Sequence, residues 1–458
     1  MATTYLSKTL GTPTDNKKWT FSAWVKKAHI GSDINTLFGA GGSSTNFASI
    51  WVNYNNGQIQ FQSQTSGGVT GGSVRLLNLL RDVAAWYHLV VSFDSANSTA
   101  ADRVKIYING IRGTNFDGTP DYPNLNIASF INSNIEHTIG KDSYRSAGYY
   151  DGSMANVEFV DGQAYDPTYF GSFNSATGIW TPSGATAISN YGTNGFKLKM
   201  DTTSPGADTS GKGNTFTASG SPTLLQGNPQ NNWCTLNPND VLRTNGGIQV
   251  PTFSNGNTTM ASSSNVSRQT FGTIGVETGK FYWETKITVA NSTGHRVGVF
   301  FGNNKYDGSN PYYYGANAFY IHQNGQIYYN GSSTTYMASY TAGDIISVAL
   351  DRTNGQIYLS KNGGASDSTW ANGSGANNST FANAVSISTK LGVTMPSNTT
   401  QPFFDIYGTG NTMSVNFGSP SFAISSGNAD GNGFGNFEYT VPTGYFSLNT
   451  KNLSEALS

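Results

Sequence analysis

Short runs of alternating apolar and polar residues, divided by turns of glycine and asparagine, recur along the whole sequence of 458 residues. The segment WTFSAWVKK shows the pattern most simply, because alternation places four of its side chains on one face, namely Trp19, Phe21, Ala23 and Val25. Further along, SIWVNYNNGQIQFQS has Asn55, Asn56 and Gly57 between two such runs, which is typical of a β-hairpin. A period of two favours strands over helices almost everywhere in this chain.

The composition supports this prediction. Glycine contributes 55 residues and asparagine 49, together nearly a quarter of the chain, whereas only 11% of the residues are charged. Helical bundles and coiled coils need more charged and helix-forming residues, and disordered chains lack the aromatic residues that make up 13% here. We therefore expect an all-β protein with many tight turns and almost no helix. One segment, from Leu76 to Trp86, is compatible either with a short helix or with a buried strand followed by a loop.

Charge and cysteine content exclude further classes of protein. The formal net charge is −1, so we expect no binding of nucleic acid, and without a long apolar run we expect no insertion into a membrane. The first residues, MATTYLSKTL, lack the apolar core of a signal peptide, which predicts a protein made in the cytoplasm. The single cysteine, Cys234, excludes an internal disulfide framework and is expected to be a buried, inert thiol.

Five ordered segments of the first third resemble a known domain type. They are FSAWV, WYHLVVSFD, VKIYING, IG and YDGSMANVEFV, and together they resemble a laminin-G or pentraxin-like domain over residues 1–172. The resemblance implies a concanavalin A-like jelly roll, in which two antiparallel sheets pack face to face. Residues 173–247 mix strand-like fragments with small and turn-forming residues. We interpret them as an ordered, loop-rich connector, with a third small domain as the alternative.

A second set of segments resembles another β-sandwich. GKFYWE, VGV, GDIISVALD, GQIYLSKNG and VNFG follow one another as in a SPRY domain, over residues 248–422, and residues 423–458 are a C-terminal extension. The predicted fold class is thus all-β, with two antiparallel β-sandwich (jelly-roll) domains joined by a loop-rich connector. We expect Trp86 and Trp283 in the cores. Alternation puts Trp19 and Trp24 on opposite faces of their strand. One of these tryptophans should face the second sheet of the sandwich, and its counterpart should face outward or lie under a loop.

Two further segments are similar to proteins of tailed marine bacteriophages: YTVPTGYFSLNTKNLSEA after VNFG, and NNWCTLNPND in the connector. The resemblance implies a non-catalytic structural and adhesive virion protein, such as a tail fibre, a knob or a capsid-surface appendage. Its expected partners are other virion proteins, further copies of itself and a host-surface glycan. Its expected location is the virion, after synthesis in the host cytoplasm. The sequence contains no collagen, heptad or β-helix repeat, which favours a globular knob over a fibre shaft.

Two other classes of function stay open, a secreted carbohydrate-binding module and a glycan-degrading enzyme of the concanavalin A-like fold. Laminarinase-type enzymes of that fold carry Glu-x-Asp-x-Glu on one face of a strand. This chain has six glutamates, no two of which are four residues apart, and Glu158 and Asp161 have the wrong parity to share a face. It also lacks a nucleophile elbow, a zinc-binding helix and a phosphate-binding loop. No catalytic residue is assigned.

The candidate binding residues are aromatic and amide side chains in two turns, because sugar rings stack on aromatic faces and hydrogen-bond to amides and carboxylates. The larger group lies in NKYDGSNPYYYGANAF and comprises Tyr306, Asp307, Asn310, Tyr312, Tyr313 and Tyr314. The smaller group is Tyr149 and Tyr150, in the late turn of the first domain. In both turns the alternative is that the tyrosines pack against the protein itself or against a partner subunit.

A calcium ion is the one cofactor considered. Laminin-G-like domains hold Ca²⁺ at one rim with aspartate and carbonyl oxygens, and Asp142 and Asp151 are the candidate ligands in the same late turn. Aspartate is also a common turn-forming residue, which is the alternative interpretation of both positions.

Overall fold

The computed structural model describes residues 3–29, 34–52, 57–65, 71–182, 187–201, 203–241, 243–244, 247–292, 294–302, 317–364 and 386–455. The chain divides into two compact units, Met1–Leu224 with Asn228–Gln230, and Leu225–Gly227 with Asn231–Ser458. About 44% of the residues lie in strands and about 4% in helices, which confirms the predicted all-β, two-domain fold class. Among the described residues, none of the helices has the length and apolar character needed to span a membrane.

The first unit consists of antiparallel strands in two main sheets. Its strands are β1 (Tyr5–Thr9), β2 (Lys18–Lys27), β3 (Asn35–Ser43), β4 (Asn46–Val52), β5 (Gln58–Gln64), β6 (Ser73–Leu79), β7 (Tyr87–Asp94), β8 (Val104–Ile108), β9 (Ile111–Arg112), β10 (Glu136–Ile139), β11 (Gly152–Asp161), β12 (Ser172–Phe173), β13 (Trp180–Thr181), β14 (Phe196–Leu198) and β15 (Thr217–Ser219). Within the described residues, a seven-stranded sheet has the order β15-β1-β10-β3-β4-β5-β6, a six-stranded sheet the order β14-β11-β2-β7-β8-β9, and β12 pairs with β13.

The core of the first unit lies between its two main sheets. The four side chains that alternation placed on one face of β2 all belong to it, and Trp19 is fully buried with its ring stacked on Phe93 at 5.1 Å. Trp24 points to the opposite side of the sheet and is also buried. Trp86 is only half-buried beside it, so the prediction that Trp86 is a core residue is wrong.

The outer face of the six-stranded sheet is covered by chain that follows β11. We call residues 163–182 and 187–191 the first cover. Hydrogen bonds join it to β2, where Thr20 Oγ1 donates to the Gln163 carbonyl (2.8 Å) and accepts from the Tyr165 amide (2.7 Å). Phe170 and Tyr191 of the cover pack on apolar side chains of the sheet. Polar or aromatic residues on this outer face of β2 are therefore buried, although they lie outside the core.

The segment interpreted as a connector, residues 173–247, supplies strands to both units. Its strands β12 to β15 lie in the first unit, where Phe196 joins the core, while residues from 231 onward belong to the second unit. For the segment Leu76–Trp86, the structure has strand β6 followed by a loop instead of a helix.

The second unit repeats the plan of two packed sheets. Its strands are β16 (Leu236–Val241), β17 (Arg243–Thr244), β18 (Gly247–Ile248), β19 (Thr252–Ser254), β20 (Thr259–Ala261), β21 (Arg268–Gly272), β22 (Lys280–Val289), β23 (His295–Phe301), β24 (Ala318–His322), β25 (Gln326–Tyr329), β26 (Ser332–Thr335), β27 (Ile345–Asp351), β28 (Gln356–Lys361), β29 (Thr400–Ile406), β30 (Thr412–Asn416) and β31 (Phe446–Ser447), with short helices α1 (Ile387–Leu391) and α2 (Thr450–Glu455). In the described part of the chain, one sheet has the order β16-β21-β29-β23-β24-β25-β26 and the other β19-β20-β30-β22-β27-β28, with β31 parallel to β22. Trp283 is fully buried in the core between them, as predicted, and Cys234 is buried in the same core.

The C-terminal extension covers the outer face of the second unit's β22 sheet. We call residues 423–449 the second cover. Its Phe437 and Tyr445 pack on Tyr282 of β22. The carboxylate of Glu284, also on β22, accepts hydrogen bonds from the backbone amides of Glu438 (3.0 Å) and Tyr439 (2.8 Å). Hydrogen bonds to a buried glutamate therefore hold the second cover on the sheet.

Burial of Glu284 predicts a pH-dependent contribution to stability. Burial raises the pKa of this carboxyl from 4.5 to about 7, although the two backbone amides oppose the shift. The folded unit therefore holds a proton that the unfolded chain releases between pH 4.5 and 7, so this contribution is full below pH 4.5 and is lost as the pH rises through 7. We expect the difference in unfolding free energy between the wild type and Glu284→Gln to change by about 2–3 kcal/mol over that range.

Urea unfolding of the full chain between pH 4.5 and 7.5 measures this difference. The matched control is Glu136→Gln, which alters an exposed glutamate of the first unit. The difference in unfolding free energy between this control and the wild type should stay constant with pH. A constant difference for Glu284→Gln as well would contradict the prediction.

Candidate functional site

The larger group of predicted binding residues cannot be placed. Tyr306, Asp307, Asn310, Tyr312, Tyr313 and Tyr314 all lie outside the described residues. A glycan contact by these side chains stays a prediction.

The smaller group lies in the turn between β10 and β11. Tyr150 donates a hydrogen bond from its hydroxyl to the Lys26 carbonyl (3.0 Å), and burial raises the pKa of this tyrosine. The ring of Tyr149 lies 6.3 Å from that of Tyr5, at a tilt. Tyr150 is therefore held by the backbone of β2, while Tyr149 remains partly accessible.

The two candidate calcium ligands each contact a basic side chain. Asp142 Oδ2 accepts from Arg145 Nε at 2.8 Å, and Asp151 Oδ2 lies 2.7 Å from His29 Nδ1. Calcium needs six to eight oxygen ligands. Among the residues that the structure describes, no group of three or more His, Cys, Asp or Glu side chains could hold a metal ion. A calcium site at this turn stays a prediction.

The structure shows a pocket that was not predicted, between the outer face of the first unit's six-stranded sheet and the first cover. Its volume is about 300 Å³. Strands β2, β7, β11 and β14 form its floor, while the cover and Gln230 form its walls. The lining residues are Ser22, Trp24, His88, Asn156, Glu158, Tyr169, Phe170, Pro182, Lys197, Lys199 and Gln230.

A hydrogen-bonded chain of three side chains fixes the floor of the pocket. Trp180 Nε1 donates to His88 Nδ1 (2.9 Å), and His88 Nε2 lies 2.8 Å from Ser22 Oγ. Because an indole nitrogen is only a donor, Nδ1 must be the unprotonated nitrogen of a neutral imidazole, and Nε2 must carry the proton. Burial supports the neutral form, since it lowers the pKa of His88 to about 3. His88 therefore donates to Ser22, whose own hydroxyl proton is left available for donation.

This tautomer has a chemical consequence. A serine nucleophile needs a histidine nitrogen that accepts its proton. Here the nitrogen nearest to Ser22 already carries a proton, and the other nitrogen is occupied by Trp180. The Ser22–His88 pair thus fixes the orientation of donors on the floor and is not arranged as a nucleophile and base.

Each oxygen of the carboxylate in the pocket has a partner within the protein. Glu158 Oε1 lies 3.1 Å from Lys197 Nζ, and Glu158 Oε2 accepts a hydrogen bond of 2.5 Å from the Tyr191 hydroxyl. That second contact ties the first cover to the sheet, much as Glu284 ties the second. Both oxygens of the only carboxylate among the described lining residues are therefore used within the protein.

The accessible wall combines an aromatic ring with polar side chains. Tyr169 is half-buried, and its ring stacks on that of Tyr165 at 3.9 Å. Asn156 lies in a bulge of β11 at φ = 48°, a left-handed conformation that asparagine tolerates better than most residues. Its backbone N–H donates to the Lys199 carbonyl at 3.3 Å, so the bulge holds Asn156 and Lys199 opposite each other at the rim.

Sequence reasoning missed this pocket, although one signal was present. In WTFSAWVKK the core-facing positions leave Trp24 on the other face, and a buried tryptophan there requires chain to cover that face. The covering residue, Trp180, lies 92 residues from His88 in sequence. No local pattern reveals that pairing.

Comparisons with known proteins agree with the two resemblances. Residues 2–164 match the laminin-G family model described as the concanavalin A-like lectin/glucanases superfamily, and residues 280–400 match the SPRY domain model. Both domain types inferred from the sequence are thereby supported. Lectin-like and SPRY domains together suggest binding or adhesion.

Three solved structures are similar to parts of the chain. The SPRY domain of human HERC1 is 19% identical, with a TM-score of 0.29, over 39% of this chain and 96% of that chain. Stonustoxin is 18% identical, with a TM-score of 0.29, over 40% of this chain and 27% of that chain. The heptameric SAP-like pentraxin from Limulus polyphemus is 13% identical, with a TM-score of 0.24, over 36% of this chain and 72% of that chain. No curated protein matches the sequence.

Proposed function

We propose that the protein is a non-catalytic binding protein on the surface of a phage particle, and that the pocket of its first unit holds a hydroxylated ligand such as a host-surface glycan. The observation that carries the proposal is the placing of one aromatic ring beside fixed polar groups in a pocket of about 300 Å³. The ring of Tyr169 can stack on the apolar face of a sugar, while Ser22 and Asn156 can hydrogen-bond to its hydroxyls. The size is at the lower end for small-molecule sites, which suits one or two sugar rings.

Two further points support the non-catalytic part of the proposal. The Ser22–His88 pair has the wrong proton arrangement for a nucleophile. Glu158 has both oxygens engaged by Lys197 and Tyr191, so it is poorly placed to act as a general acid or base. A purified chain that releases sugar from polysaccharide would overturn this part.

The phage assignment rests on the similarity of the connector and C-terminal motifs to tailed-phage proteins. We expect other virion proteins and further copies of this chain as its structural partners. Mass spectrometry of purified virions should find the protein as a stoichiometric component. Its recovery only from the medium of uninfected bacteria would instead favour a secreted carbohydrate-binding module.

Binding in the pocket predicts the effect of removing the tyrosine ring. Tyr169→Ala should weaken the binding of glycans on an array by about tenfold, the equivalent of one lost aromatic contact. Tyr169→Phe keeps the ring and should bind nearly as the wild type does. The matched control is Tyr407→Ala, which removes an exposed tyrosine of the second unit and should change nothing. Equal binding by Tyr169→Ala and the wild type, with both folded, would place the ligand elsewhere.

A further inference from the structure

We propose that the pocket selects an anionic glycan, in which a sugar carries a carboxylate, sulfate or phosphate group, and that Lys199 is the partner of this group. The inference rests on the proposed function, since it assigns the chemical class of the ligand to the same pocket. It derives from the balance of charges and of hydrogen-bond donors among the lining residues.

The described lining of the pocket carries one more positive charge than negative charges. The lining contains two lysines and one glutamate, and His88 is neutral because Trp180 occupies its Nδ1. Lys197 is paired with Glu158. Lys199 is exposed and has no carboxylate partner among the described residues. One positive charge is therefore left for a ligand, in a chain whose formal net charge is −1.

The hydrogen-bonding groups of the lining are consistent with this charge. An ionised carboxylate only accepts, and a lysine ammonium only donates. The acceptor oxygens of Glu158 are occupied by Lys197 and Tyr191. The Ser22 hydroxyl and the side-chain amide of Asn156 can both donate and accept, whereas the ammonium of Lys199 only donates. Lys199 is thus the charged group of the described lining whose donors have no carboxylate partner, and an anionic oxygen group supplies several acceptors at one point.

The strand geometry places these donors together. Phe196 and Leu198 of β14 face the core, so Lys197 and the following Lys199 point to the outer side with the pocket. The backbone N–H of Asn156 donates to the Lys199 carbonyl, which brings the bulge beside this lysine and leaves the side-chain amide out of that contact. An anionic group at the rim can thus contact Lys199 and Asn156 while its sugar ring reaches Tyr169.

The test uses the full chain on an array that carries uronate-bearing, sialylated, sulfated, phosphorylated and neutral glycans. The wild type should bind one or more acidic classes at least tenfold more strongly than neutral glycans of the same backbone. Lys199→Ala should lose about tenfold on the acidic glycans and less than twofold on neutral ones. Raising sodium chloride from 50 to 500 mM should weaken only the Lys199-dependent binding. The class that is bound distinguishes a carboxylate from a sulfate or a phosphate.

The matched control is Lys105→Ala, because Lys105 lies on β8 of the same sheet, between the core residues Val104 and Ile106, and does not line the pocket. It should leave acidic binding unchanged. If neutral glycans bind as strongly as acidic ones, and Lys199→Ala binds like the wild type, the anionic assignment is wrong while the proposed function stands. If no glycan binds at all, the proposed function is wrong, and the inference is wrong with it.

Discussion

Lowering the pH from 7 to 4 is expected to destabilise the first unit by about 5 kcal/mol, enough to unfold a domain of ordinary stability. Burial lowers the pKa of His88 to about 3 and the pKa of His137 to about 4, both from 6.5. Below pH 6.5 the unfolded chain therefore binds protons that the folded unit excludes. The stability from these two residues is fully present above pH 6.5 and is lost as the pH falls towards 4.

The hydrogen bonds of the two histidines give the same result without reference to pKa values. His137 Nε2 accepts from the Asn132 backbone amide (3.0 Å), and His88 Nδ1 accepts from Trp180 (2.9 Å). A proton added to either nitrogen would face an N–H group. Protonation therefore requires the surrounding backbone or the first cover to move away.

Urea unfolding of the full chain at several pH values measures the effect. His137→Gln should reduce the acid-induced loss by about half, although it lowers stability at pH 7 as well. The comparison variant is His29→Gln, since the side chain of His29 is 39% exposed and lies beside Asp151. This variant should not reduce the acid-induced loss. An unfolding midpoint of the first unit that is the same at pH 4 and pH 7 would show that the histidines are not neutral and buried.

Replacing Trp19 with alanine is expected to lower the unfolding free energy of the first unit by about 3–5 kcal/mol, the range for a buried aromatic residue. The ring is fully buried and lies within 6 Å of Phe61, Phe93 and Phe159 by centroid distance, so no neighbour can fill the cavity without moving. In the unfolding curve of the full chain, the transition that Trp19→Ala shifts is the unfolding of the first unit.

Trp86→Ala is the matched control in the same unit. Its side chain is half-buried against Trp24 and Trp180 at the outer face, so the loss should be about 1 kcal/mol. Similar losses for both tryptophans would mean that the core of this unit lies elsewhere. A loss below 1 kcal/mol for Trp19→Ala would contradict the described packing directly.

The strands and their faces could be predicted because they depend on a local pattern. Alternation along β2 correctly separates Trp19 from Trp24. Alternation along β22 places Trp283 in the core of the second unit. Trp86 was assigned wrongly because it precedes β7 by one residue, where the alternation no longer fixes the direction of the side chain. Patterns of period two hold only inside a strand.

The pocket could not be predicted, because its parts come from distant segments without regular periodicity. The first cover is a series of turns, and nothing in its sequence specifies that Tyr191 contacts Glu158 or that Tyr169 and Asn156 line one pocket. The bulge of β11 adds to the difficulty, since the register shift between Ala155 and Glu158 changes which side chains face outward. Burial of polar residues on an outer face is a tertiary property.

The pairing of β1 with β15 has a consequence for how the protein is made. Tyr5 lies opposite Ser219, so the first strand of the chain finds one of its two neighbours only after more than two hundred further residues. At ribosomal rates of about 5–20 residues per second, that neighbour arrives roughly 10–40 s after β1. During this interval β1 has an open edge that another chain could join. We therefore expect the nascent first unit to depend on chaperones more than its finished stability would suggest, and to refold slowly from denaturant.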